Sequence, residues 1–337
     1  MIINSNNEYD KLVSCVVGDA TGAQFPKLDE IFLYNQQVTN WKETPLPSGM
    51  FPDEIIDQAN EDLDNLSKTL MTKGVKVYRP KDLDHEFKVT TYHWTTDGMY
   101  NYCPRDVLLV VGDTVIECPM VYRSRQMEAE AYWHIRNRAI EDGARWLAAP
   151  RPRLLTLDNF VLDGNIILSE REPMFDAANI LRHNNDILYL VSNSGNRLGA
   201  KWLQNILGNN YRVHIIDNLY SYAHIDSTIS ILRDGLVVLN ASRVNQDNCP
   251  RLFDGWEKIY VNDVVPQSFY KYPYASKWIA LNMLSIDPNT VIVDKNQIDL
   301  IDKLGKCGVE VIPLELRHSR TLGGGFHCVT LDLERTQ

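Results

Sequence analysis

Five times along this chain a helix-prone segment stops at a glycine and a short β-prone run follows, and this recurrence constrains the fold more than any other feature. The glycines are Gly74, Gly143, Gly208, Gly255 and Gly308; the runs after them include Val75–Tyr78, Ala144–Leu147, Tyr211–Ile215, Trp256–Val261 and Val309–Ile312. Glycine just past the last helical residue supplies the left-handed conformation that ends a helix. Pro52 to Thr72 is the clearest helix: Pro52 can start it, and Ile55, Ile56, Ala59, Leu63, Leu66 and Leu70 recur on one face. Ser124 to Glu141, Gly199 to Leu207 and Gln297 to Leu304 read the same way. The stretch before Gly255 is the poorest, because Asn248–Cys249–Pro250 breaks it. Apolar runs at Leu12–Val17, Val107–Val111, Ile187–Val191, Leu236–Leu239 and Val291–Val293 read as further strands. Alternating strands and helices define an α/β protein, and five units suit a doubly wound sheet or a ring of blades equally well. The unequal spacing of the glycines indicates diverged repeats. No low-complexity linker divides the chain, so residues 1–337 are read as one domain.

With 337 residues there is enough chain for a well-buried core. The net charge of −10 argues against a nucleic-acid partner, which needs a basic face, and is compatible with a cationic substrate. The six cysteines show neither CxxC nor His/Cys zinc spacing, and no metal or other cofactor is expected. Cys15, Cys103 and Cys118 sit in or beside apolar runs and read as small buried hydrophobes. Met1–Asn7 lacks a basic region followed by an apolar one, so no signal peptide is expected. No apolar run reaches the ~20 residues of a membrane span. The expectation is a cytoplasmic, reducing setting without membrane contact, which suits a free thiol.

The chemistry centres on Leu322–Gly323–Gly324–Gly325–Phe326–His327–Cys328. Three glycines suit a place where backbone and ligand come close. The cysteine at the head of Val329–Thr330–Leu331 is placed as a nucleophile at a cavity floor could be. Taken alone, a structural turn with a buried cysteine is the plainer reading of this pattern.

The wider context shifts that balance. Arg320 to Cys328 resembles the nucleophile segment of the amidinotransferases, enzymes that move an amidino group from arginine to another amine. Phe175–Asp176–Ala177–Ala178–Asn179 and His224–Ile225–Asp226–Ser227–Thr228 resemble two other signature segments in the same order. Tyr102–Cys103–Pro104–Arg105–Asp106 and Gly112 to Met120 resemble two more. Tyr189 to Asn196, Leu198 to Gln204 and His318–Ser319–Arg320 look more like the inosamine-phosphate amidinotransferases of aminoglycoside pathways than like the animal glycine enzyme. The resemblance implies a five-bladed α/β propeller, pentein-like, of pseudo-symmetric ββαβ units.

It also implies roles. Arginine's guanidinium is a poor electrophile, so a catalyst must hold it flat, add a soft nucleophile and protonate the departing nitrogen. Cys328 is the expected nucleophile and His224 the proton shuttle. His327 adjoins Cys328, but successive strand residues face opposite ways, which favours His224. Asp176 would orient His224; its alternative is a turn or helix-cap aspartate. Asp106 and Asp226 would clamp the guanidinium, and the alternative for Asp106 is an ion pair with Arg105. Arg243 and Ser276 match positions that grip the arginine α-carboxylate, although a surface arginine in a polar loop is the other reading of Arg243. The loop Ser192–Asn196 before a helix can hold a phosphate, but an ordinary helix cap is the better reading.

The expected function is ping-pong amidino transfer from L-arginine to an acceptor amine through an amidino-cysteine, in specialised biosynthesis. An aminocyclitol phosphate is the first acceptor to consider. Ser221–Tyr222–Ala223 replaces the Asn-Pro-Met of the animal glycine enzymes, which leaves glycine, lysine or another small amine as alternatives. An arginine deiminase-type hydrolase is the rival reading on the same fold. The residues do not reveal the oligomeric state, and a homodimer stays open.

Overall fold

The structure is a computed structural model and describes residues 1–39, 45–153, 160–162 and 166–336. Five three-stranded sheets repeat one pattern. In each, the central strand pairs antiparallel with one neighbour and parallel with the other. Leu108–Val111, Thr114–Glu117 and Arg145–Ala148 form one such blade. Ile180–His183, Asp186–Leu190 and Arg212–Ile216 form the next, and Ile229–Arg233, Leu236–Asn240 and Glu257–Val261 the one after. Leu284–Asp287, Thr290–Asp294 and Glu310–Leu314 follow. The remaining blade is shared between the chain's two ends: Lys11–Val17 pairs parallel with Lys76–Tyr78 and antiparallel with Thr330–Thr336, setting Val17 opposite Thr330. The ring therefore closes through the strand that follows the glycine run and Cys328.

Local chemistry explains each unit. The antiparallel strands of four blades are joined by two-residue turns, at 112–113, 184–185, 234–235 and 288–289. Three of these turns carry a positive φ, at Gly112 (58°), Asn184 (56°) and Gly235 (80°), as tight hairpins require. The parallel step is a crossover that carries the helix. All five helix-stop glycines have positive φ, and a Cβ on any of them would meet nothing within 4 Å. Glycine is needed there for backbone conformation alone.

The helix Asp53–Thr72 buries Ile55, Ala59, Leu63, Leu66 and Leu70 against the core, as its spacing predicts. Each of the leucine and isoleucine side chains is worth about 1.5–3 kcal/mol of burial. Arg197–Leu207 and Ile298–Lys306 agree with the sequence reading to within two residues at each end. The expected helix over Ser124 to Glu141 begins only at Trp133; two 3₁₀ turns, Arg123–Arg125 and Glu128–Tyr132, precede it. Arg125 ends the first of these turns and Glu128 begins the second, and across the two residues between them they form a buried bidentate pair at 2.9–3.1 Å. Before Gly255 only the 3₁₀ turn Arg251–Phe253 forms, directly after Pro250.

The blades meet around buried charge as well as apolar packing. Glu8, Arg105, Arg182, Asp332 and Arg335 are each at most 4% exposed. Arg182 reaches Glu8 at 2.8 Å and Asp332 at 2.9 Å, and Arg335 reaches Asp332 at 2.8 Å. Such a network adds little net stability over an apolar core, but it penalises any register that leaves one member unpaired. Among the described residues no helix is long and apolar enough to cross a membrane.

Candidate active site

The glycine run is a junction. Ser319–Leu322 forms a short helix that ends at Gly323 with φ 83°. A Cβ on Gly323 would lie 2.2 Å from the Tyr274 ring, one on Gly324 2.4 Å from Cys103 Sγ, and one on Gly325 2.6 Å from Asn282 Cβ. Unlike the helix-stop glycines, these three are demanded by close neighbours. Residues 326–329 then make a turn, with Val329 N–H donating to Gly325 O at 3.0 Å, and the strand begins at Thr330. Cys328 is thus on the turn and not in the strand, which corrects the sequence expectation. His327 and Cys328 meet at one atom, Asp226 Oδ2, which lies 3.0 Å from His327 Nδ1 and 3.2 Å from Cys328 Sγ.

Cys328 is 1% exposed, yet it lines a cavity of about 700 Å³, its open mouth included. Asn282 holds it twice. The Cys328 N–H donates to Asn282 Oδ1 at 2.9 Å, and Asn282 Nδ2 donates to Cys328 Sγ at 3.2 Å. The thiol itself donates to Asp226 Oδ2 at 3.2 Å. The neighbouring Cys103 thiol, burial and the Asp226 charge together raise Cys328 well above an ordinary thiol, against a lowering contribution from His224.

His224 sits between two carboxylates. Its Nε2 is 3.0 Å from Asp176 Oδ2, and its Nδ1 is 3.8 Å from Asp106 Oδ1. A carboxylate oxygen of Asp106, a ring nitrogen of His224 and Cys328 Sγ all lie within 4.8 Å of one another. Burial alone would keep His224 neutral. The Asp106 charge and the Asp176 hydrogen bond outweigh burial and raise the imidazole well above its ordinary value. Asp176 occupies the position before the 3₁₀ turn Ala177–Asn179, but its side chain makes no capping bond and turns to His224 instead.

Asp106 is paired with Arg125 at 2.7 Å and not with Arg105, whose guanidinium faces Glu8 and Asp332 at 3.4 and 3.1 Å. The two adjacent residues, 105 and 106, point into different networks. Burial raises Asp106 despite His224 and Arg125. Among the described residues, Asp106 Oδ1 and Asp176 Oδ1 are buried acceptors with no hydrogen-bond donor on them.

The structure brings Cys328, His224, Asp176, Asp226 and Ser276 onto the cavity wall. Asp106 lies against His224 from behind. Arg243 is behind the wall too: it stacks 3.5 Å from the Tyr220 ring centroid and donates to Thr228 Oγ1 at 2.8 Å and Ser227 Oγ at 3.1 Å. It pairs with no carboxylate among the described residues, and burial lowers its pKa. The loop before Arg197–Leu207 is a helix cap. Asn196 Oδ1 accepts from Gly199 N–H at 2.8 Å, and Glu170 accepts from the Arg197 and Leu198 N–H groups at 3.0 and 2.7 Å. A carboxylate of this chain already occupies the place a phosphate would take.

Sequence reasoning missed Asn282, Arg125 and Glu128. A lone asparagine inside Leu281–Asn282–Met283 and an Arg–Glu pair three residues apart are the available signals. Asn282→Ala should leave the buried Cys328 N–H unpaired and remove a donor to the sulfur, each at about 1–3 kcal/mol. The expected outcome is a lower melting temperature together with slower alkylation of Cys328. A melt and an iodoacetamide time course check both.

The described features, a thiol beside an imidazole flanked by carboxylates on a five-bladed α/β propeller, are those of an enzyme that works on guanidino groups. No protein-family model matches the chain. The chain belongs to the amidinotransferase family and is a transferase of that class. It is 45% identical to inosamine-phosphate amidinotransferase 1 of Streptomyces glaucescens, over 99% of this chain and 97% of that one. It is 36% identical to the L-arginine:L-lysine amidinotransferase of Pseudomonas savastanoi pv. phaseolicola, over 98% and 94%. The solved inosamine-phosphate amidinotransferase of Streptomyces griseus superposes with a TM-score of 0.94 at 45% identity, covering 99% of this chain and 97% of that chain.

Proposed function

We propose that the chain takes an amidino group from L-arginine onto Cys328 and passes it to an acceptor amine, with residues 1–337 acting as one catalytic domain. Arginine enters with its guanidinium among Asp106, Asp176 and Asp226 and its α-carboxylate toward Ser276 and Arg243. The observation that carries the reading is a thiol and an imidazole within 4.8 Å of each other beside buried carboxylate oxygens that accept no hydrogen bond among the described residues. Those oxygens suit the N–H groups of a guanidinium, and Arg243, half-buried and paired with no carboxylate among the described residues, suits an incoming one.

The proton count closes. In the first half, sulfur bonds to the guanidino carbon, the bond from that carbon to the ornithine nitrogen breaks, and one proton passes from the thiol to the leaving nitrogen by way of His224. In the second half the acceptor nitrogen attacks the amidino carbon, the C–S bond breaks, and the proton returns to sulfur. The bound cation helps the thiol ionise.

Pathway and acceptor follow the relatives. Those at 45% identity are named for inosamine phosphate, so an aminocyclitol phosphate is the first acceptor to test, ahead of lysine and glycine. The six unbridged cysteines suit a reducing, cytoplasmic setting. Mass spectrometry of the protein incubated with arginine and no acceptor should find one amidino unit on the peptide holding Cys328, with ornithine released. Citrulline as the product would favour the hydrolase. No adduct and no product would end the reading.

A further inference from the structure

The back of the nucleophile turn carries a second imidazole that the reaction above does not use. His327 is buried between two carboxylates, with Nδ1 3.0 Å from Asp226 Oδ2 and Nε2 3.1 Å from Glu8 Oε2. A ring nitrogen facing a carboxylate oxygen at that distance donates a proton to it. With a carboxylate on each nitrogen, both donate, and the ring is a cation.

The surroundings fix which way the charge acts. Glu8 is held by Arg182 at 2.8 Å and by Arg105 at 3.4 Å, and its pKa lies well below the carboxylate range although burial opposes this. Among the described residues no arginine pairs with Asp226. Its Oδ2 takes the His327 N–H and the Cys328 thiol together. Burial alone would raise Asp226; the hydrogen bond and charge of His327 come next and bring it below its ordinary value, with a smaller part from His224. The charged and titratable groups facing this cluster are Glu8, Asp226 and Arg105 around the ring, and His224, Asp106 and Cys103 around the thiol. Asp226 is also the one residue common to the active-site cavity and to a smaller cavity behind it, lined by Glu8, His327, Ser230 and Ser285. It is the partition between the reacting thiol and the buried imidazole.

We infer that His327 is a positioning residue: a cation anchored on Glu8 that fixes Asp226 as a carboxylate, so that Asp226 meets the donor charged and does not take up the thiol's proton. This rests on the reading of Asp226 as a donor clamp. A neutral Asp226 loses its attraction for a guanidinium, and one that had taken the thiol's proton would compete with the transfer to the leaving nitrogen. The pairing with Glu8 explains why the imidazole holds its proton in a site with so little water.

His327→Asn keeps an N–H donor toward Asp226 and removes the charge. Donor affinity should fall, with KM for arginine rising about tenfold or more. The acid limb of kcat/KM should move to higher pH by about one unit or more, the scale of an opposite charge lost at contact distance. The sign follows from Asp226: its pKa rises in the variant, and activity that needs the carboxylate is lost as pH falls through that higher value. A profile lowered evenly at every pH, with unchanged shape, would reduce His327 to a packing residue and overturn the inference. A second measurement needs neither turnover nor a variant that folds. Ring-nitrogen NMR of the wild-type protein should show His327 doubly protonated throughout the neutral range, and a neutral ring there overturns the inference equally. If the wild-type protein does not act on arginine, the reading of function fails instead, and the NMR result decides the charge of His327 by itself.

Discussion

Cys328→Ser is expected to abolish amidino transfer, by about 10⁴-fold or more, the scale on which loss of a covalent nucleophile is felt. The variant should retain the fold, because the change is one atom and a hydroxyl can keep the hydrogen bonds that the sulfur makes with Asn282 and Asp226. A serine hydroxyl is far harder to ionise than a thiol, and the site is poor at ionising even the thiol. Cys103, burial and Asp226 all raise Cys328, and only His224 works the other way. These surroundings favour a neutral thiol beside a charged imidazole in the free enzyme, and a cationic substrate supplies what the site lacks. The same logic fixes a pH dependence. Alkylation of Cys328 by iodoacetamide without substrate should be slow at neutral pH and rise only above the ordinary thiol range of about 8.5. Steady-state assays with arginine and a mass measurement of the arginine-treated variant test the first expectation. Turnover in Cys328→Ser comparable to wild type, or an adduct on another residue, would remove Cys328 from the reaction.

Much of this site was legible because its main residues lie in short contiguous segments. His224 and Asp226 come from one loop, Asp176 from another, and Cys328 follows its glycines directly. The propeller was legible through its punctuation: five glycines that end crossovers need only a left-handed backbone, a local requirement that leaves a local mark. What stayed hidden is relational. Asp106 could not be assigned to Arg125 instead of its neighbour Arg105, because the choice depends on which way a four-residue helix, Pro104–Val107, turns its side chains in a buried setting. Asn282 gave no motif, since its value lies in clamping a turn 46 residues away. His327 was set aside on strand alternation, yet it sits on a turn, and its link to Glu8 spans 319 residues. The helix over Ser124 to Glu141 failed in its first half, where two 3₁₀ turns and a buried Arg125–Glu128 pair stand in its place, an arrangement that propensity does not register.

His224→Gln should lower kcat for arginine by about 10²- to 10⁴-fold, the range that a positioned acid–base group contributes. The loss should be selective, and the selectivity identifies the role. In the first half-reaction His224 is needed because the ornithine nitrogen leaves badly without a proton. An S-alkylisothiourea donor expels a thiol instead, which leaves as a thiolate without that help. In His224→Gln such a donor should still load an amidino group onto Cys328, slowed far less than arginine, because His224 then assists only the thiol and not the leaving group. Discharge to the acceptor should stay slow with either donor, because the incoming amine also loses its proton to His224. Asp176→Asn should show the same pattern more weakly: the 3.0 Å contact holds Nε2–H toward Asp176, and an amide in its place can also accept that bond but stabilises the imidazolium less. Single-turnover mass spectrometry follows loading and discharge separately. Equal loading of both donors by the variant would show that the ornithine nitrogen gets its proton elsewhere. Failure of both donors in a protein that melts like wild type would mean that His224 serves the sulfur instead of the leaving group.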